Sequence, residues 1–67
     1  MPRLYSSRHI IKVLLAHGFS EVDQTGSHKK FTDGERIVIV PAPRKETPQG
    51  TFHSILRQSG LKRTDFE

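Results

Sequence analysis

The sequence predicts an α+β domain of order α-β-β-β-α, a three-stranded antiparallel sheet with two helices on one face. Three observations lead there. Two segments carry apolar residues four positions apart, and each runs into a glycine followed by a large apolar residue. Between them, "HKKFT" and "ERIVIV" flank Asp33-Gly34, the signal of a hairpin. With 67 residues and no cysteine, the chain has room for one unstapled core. The expectation is a single domain over 1–67 whose core spans about 6–61.

The first helix is read from "SSRHIIKVLLAHGF". Ser6 and Ser7 are candidate N-caps, because a hydroxyl there accepts from a backbone N–H that the helix leaves unpaired. Ile10 with Leu14 and Ile11 with Leu15 make one broad apolar stripe. Gly18, Phe19 and Leu14 then match the glycine and the hydrophobic pair of a Schellman ending. "GTFHSILRQSGL" repeats this grammar, with Thr51 as N-cap and Phe52, Ile55 and Leu56 facing inward. Gly60, Leu61 and Leu56 predict the same ending.

The extended region is less sharply written. "SEVDQ" is a short strand with only Val22 apolar. For the hairpin, a three-residue loop from Thr32 to Gly34 pairs Phe31 with Glu35 and Lys29 with Ile37. Phe31, Ile37 and Ile39 then face the helices, while His28, Lys30, Val38 and Val40 share the open face. "PAPRKETPQG", with three prolines, is the connector to the second helix, and "KRTDFE" reads as a frayed tail.

Charge narrows the function classes. Eleven Lys and Arg against seven Asp and Glu give a formal +4, which favours a polyanionic partner such as nucleic acid. No apolar run approaches the ~20 residues of a membrane span, and "MPRLYSSRHI" lacks a signal-peptide core. The expected location is the cytoplasm, with no membrane partner.

"GSHKKF" is the segment with chemistry in it. A free imidazole titrates near pH 6.5, so at neutral pH both its acid and base forms are present. His28 is thus a candidate general acid or base, with Ser27, Lys29 and Lys30 placed to approach a phosphate. The competing reading is an ordinary histidine at a strand start. Arg44 and Lys45, before the Gly50-Thr51 helix start, are a second candidate phosphate contact. His17 suits a helix C-terminus, and His9 and His53 lie in first turns. No histidine pair has zinc-ligand spacing, so neither metal nor other cofactor is expected.

The segments "GSHKKF" and "GTFHSILRQSGL", together with the "HGF" helix end and the strand ending "VP", resemble the HicA family of toxins over about residues 6 to 61. The resemblance implies a fold like the double-stranded-RNA-binding domain. It also implies a ribonuclease that cleaves mRNA without a metal cofactor, inhibits translation and is blocked by a HicB antitoxin. The family's catalytic histidine maps onto His28. Many relatives carry a histidine in the loop after V-P where this chain reads "PAPRKE", so charge stabilisation there falls to Arg44 or Lys45. Two rival readings share the same charge: a non-catalytic module that binds double-stranded RNA by shape, and a subunit that docks an acidic protein.

Overall fold

The first helix starts at a hydroxyl. In the computed structural model, which describes residues 3–67, α1 spans Ser7–Ala16 and Ser6 Oγ accepts the His9 N–H at 3.1 Å. It ends in the predicted Schellman pair: Phe19 N–H donates to the Leu14 carbonyl at 3.0 Å and Gly18 N–H to the Leu15 carbonyl at 3.3 Å. Gly18 makes this possible with φ 90°, where a side chain would be strained.

The second helix departs from expectation at both ends. α2 spans Gln49–Ser59, and Pro48, not Thr51, occupies the N-cap. Proline's ring holds φ at −57°, and its carbonyl accepts the Phe52 N–H at 2.9 Å, so the helix starts two residues before Thr51. At its end Gly60 N–H donates to the Leu56 carbonyl at 2.9 Å, while Leu61 N–H goes to Ser59 Oγ. That single bond is the simpler left-handed ending, not a Schellman pair.

The sheet is antiparallel in the order β1-β2-β3, with β1 at Ser20–Thr25, β2 at His28–Thr32 and β3 at Ile37–Pro41. Gly26 and Ser27 form a two-residue turn between Thr25 and His28, and Gly26 takes the φ of 58° that the first position of such a turn requires. Val22 sits in a bulge of β1.

The second hairpin corrects the predicted register. Phe31 lies opposite Val38 and Lys29 opposite Val40. Phe31's partner has therefore moved three residues from Glu35, an odd number, which exchanges the faces of β3. Val38 and Val40 are fully buried, and Ile37 is 51% exposed on the open face beside Ile39. Side chains close the wider loop. Asp33 Oδ1 accepts the Glu35 and Arg36 N–H groups at 2.9 and 2.7 Å. Thr32 Oγ1 accepts the Gly34 N–H and donates to the Arg36 carbonyl.

Those bonds give the loop a pH signature. The backbone N–H groups of Arg36 and Glu35 hold the Asp33 carboxyl below its ordinary 3.8. A carboxyl whose folded value is depressed stabilises the fold above its unfolded value, and that contribution is lost as pH falls through the folded one. Asn at this position keeps an acceptor oxygen but does not titrate. Urea midpoints of wild type and Asp33→Asn should therefore differ by a constant above about pH 5 and converge as pH falls below it. Parallel curves down to pH 2 (~) would remove this contribution.

Both helices cover one sheet face. Ile10 and Leu14 of α1 and Phe52 and Ile55 of α2 pack with Phe31, Val38 and Val40. Gln58 Oε1 also accepts the Ile39 N–H at 2.9 Å, pairing a donor on an outer strand that would otherwise be free.

The tail is ordered against this core, contrary to the fraying expected of "KRTDFE". Arg63–Phe66 form a short 3₁₀ helix, and Phe66 is fully buried. Its ring meets Phe52 edge-on at 5.1 Å, with Tyr5 at 6.3 Å. His9 stacks on Tyr5 and donates from Nε2 to the Phe66 carbonyl. The connector is pinned as well. Ser7 N–H donates to the Arg44 carbonyl and Ser7 Oγ accepts the Arg44 N–H, both at 2.9 Å. Thr47 N–H donates to the Tyr5 carbonyl, so the proline-rich segment is laced to the start of α1.

Candidate nucleic-acid interface

Alternation along β2 decides what surrounds His28. Phe31 points into the core, so Lys29 shares the helix-covered side and His28, Lys30 and Thr32 share the open one. Across the sheet His28 lies opposite Thr25 and Pro41, and Lys30 opposite Asp23 and Ile39. These side chains line a groove of about 240 Å³ on the open face: Asp23, Gln24, Thr25, His28, Lys30 and Ile39. His28 itself is exposed.

Its lack of partners separates His28 from the other three histidines. His9 Nε2 is committed to the Phe66 carbonyl. His17 Nδ1 donates to the Val13 carbonyl at 2.8 Å, and His53 Nε2 accepts from Arg63 at 3.0 Å. Among the described residues, neither ring nitrogen of His28 has a hydrogen-bond or ion-pair partner. Its backbone, by contrast, is fixed. Gly26 and Ser27 form the turn before it, and Ala42 N–H donates to the Ser27 carbonyl at 2.6 Å. A fixed main chain thus carries an imidazole whose nitrogens are both open to an incoming ligand, and proton transfer needs one of them.

The predicted basic residues do not all gather there. Lys30 is in the groove with His28, and Ser27 is in the adjoining turn. Lys29 lies on the other side of the sheet, with its Nζ 3.6 Å from Glu21 Oε1. Arg44 and Lys45 line a different groove, of about 540 Å³, with Ser6, Ser7, Arg8 and Pro43 at the first turn of α1. The bonds between Ser7 and Arg44 hold them there. Sequence reasoning missed Asp23, which strand pairing puts opposite Lys30, and Arg8, which no local pattern marks. Among the described residues, no cluster of three or more His, Asp or Glu side chains is placed to hold a metal ion.

A family comparison now bears on this geometry. The sequence model described as HicA toxin of bacterial toxin-antitoxin matches residues 7–61. The chain belongs to the HicA toxin family. Comparison with curated proteins gives no match. As a HicA toxin it is one half of a toxin–antitoxin pair, so a cognate antitoxin is its partner. The α-β-β-β-α order with an open sheet is consistent with a fold like the double-stranded-RNA-binding domain. No helix among the described residues of this HicA toxin is long and apolar enough to cross a membrane. The match stops at Leu61, so the turn that supplies Phe66 lies beyond it.

Proposed function

We propose that this HicA toxin is a metal-independent endoribonuclease that cleaves mRNA in the cytoplasm and thereby stops translation, with His28 as its general acid or base. A HicB-type antitoxin is the inhibitor. The observation that carries the reading is the free ring of His28 beside Lys30 in an open groove.

The chemistry is balanced without a metal. The ribose 2′-OH attacks the adjacent phosphorus, the bond to the 5′-oxygen breaks, and the products are a 2′,3′-cyclic phosphate and a 5′-hydroxyl. One proton must leave the 2′-oxygen and one must reach the departing 5′-oxygen. His28 carries out one of these transfers. Lys30, two residues along the same strand face and so about 7 Å away along the backbone, meets the negative charge that builds on the phosphoryl oxygens. Ser27 adjoins the reacting phosphate, while Lys29, Arg44 and Lys45 hold backbone further along the strand.

Incubation of the purified toxin with end-labelled single-stranded RNA in EDTA tests this. Fragments ending in 2′,3′-cyclic phosphate are expected. A retarded but uncut RNA would instead make the protein a binding module, in line with its basic surface. No retardation at all would leave docking to an acidic protein.

A further inference from the structure

Three grooves of this molecule share their walls. Gln24 is part of the lining of the groove on the open face. Gln24 also lines a second groove, of about 360 Å³, which continues on the helix side past Lys29, Arg8, Ala42 and Pro43. Arg8 and Pro43 in turn line the third, with Arg44 and Lys45. The path therefore leaves His28, rounds the strand at Gln24 and runs along the first turn of α1 to the connector.

Charge along this path is one-sided beyond the bend. Lys29 is offset by Glu21, but Arg8, Arg44 and Lys45 have no ion-pair partner among the described residues. Arg8 is the hinge of the arrangement, since it belongs to both grooves on the helix side and is exposed. The guanidinium makes no hydrogen bond within the described chain, so its five donors are open to an anion. No structural task accounts for it.

We propose that Arg8 binds the RNA backbone away from the cleavage site, at the centre of a track on which one strand bends from the His28 groove to Arg44 and Lys45. This rests on RNA being the substrate, as argued above. The track turns from one side of a thin sheet to the other, so it suits a single strand. A duplex, stiff over this distance, cannot follow the bend. Arg8 touches no reacting atom, and its role is to hold and register the strand.

Binding separates this proposal from the nuclease reading. The measurement uses full-length His28→Ala protein, which cannot consume its probe, and fluorescent single-stranded oligoribonucleotides of two lengths. One fills the His28 groove only and the other also reaches Arg44. Adding Arg8→Ala should weaken the long oligonucleotide about five-fold and lower its salt slope by about 0.7, the value of one lost phosphate contact on a single strand. The short one should bind unchanged. Arg8→Lys should restore the salt slope and part of the affinity, because it keeps the charge but not the guanidinium fork. Arg57→Ala, which removes an exposed charge on α2 outside the track, should change neither. Equal loss in Arg57→Ala, equal loss on both lengths, or no loss on either overturns the track, as does failure of the long RNA to bind. Equal binding of a matched duplex, lost equally in Arg8→Ala, overturns the single-strand path. Wild-type protein that leaves RNA uncut while Arg8→Ala shows the predicted losses refutes the nuclease and keeps the track.

Discussion

His28→Ala should abolish growth arrest and lower the rate of RNA cleavage by about 10²- to 10⁴-fold, the usual contribution of one positioned acid or base. The fold should barely notice. His28 is exposed and its ring has no partner among the described residues, so its removal falls within about 0.5 kcal/mol in urea unfolding. Its turn is held by Gly26 and by the bond from Ala42 N–H to the Ser27 carbonyl, neither of which involves the imidazole. Binding of uncut RNA should persist, because the charges that attract the backbone are elsewhere. The decisive comparison is single-turnover cleavage by wild type and variant at equal folded concentration. Wild-type rates in the variant would transfer the proton-moving role away from His28. The remaining titratable side chains of its groove, Asp23 and Lys30, would be the next to examine.

The position of His28 was legible in the sequence for a reason that survives an error beside it. Its face follows from Phe31, three residues along the same strand, and the only bulky apolar side chain of β2 had to point inward. The partner strand offered no such guide. "IVIV" is apolar on both faces, so alternation could not choose between Ile37-Ile39 and Val38-Val40. The choice lay with the loop, where Asp33 and Thr32 close a wider turn than the glycine alone suggests. Where each helix stops was legible because a glycine with positive φ is a local signal, whereas the start of α2 at Pro48 and the single-bond ending at Gly60 were not.

What could not be read was what depends on distant partners. Lys29, Lys30, Arg44 and Lys45 look alike as basic residues beside short motifs. Alternation from Phe31 already puts Lys29 and Lys30 on opposite faces, but only the lacing of Ser7 to Arg44 carries the connector to α1. Arg8 acquires meaning from that lacing alone, since nothing within its own helix distinguishes it from Lys12. A surface assembled across the fold is therefore less visible in sequence than a histidine at a strand start.

Phe66→Ala should unfold most of the protein at physiological temperature. The ring is fully buried between Tyr5 and Phe52, and removing a buried phenyl group typically costs about 3–5 kcal/mol. A core of this size rarely supplies more than about 3–5 kcal/mol in total, so one residue in the last turn controls the folded population. Phe66→Leu, which keeps most of the volume, should retain a cooperative transition at a lower urea midpoint. An unchanged midpoint in Phe66→Ala would mean that the tail is frayed in solution. Activity separates the two roles of the molecule. Phe66→Ala should lose toxicity in proportion to its unfolded fraction, and RNA that binds only the folded form should draw it back by mass action. His28→Ala cannot be rescued this way, because its defect lies in proton transfer and not in the folding equilibrium.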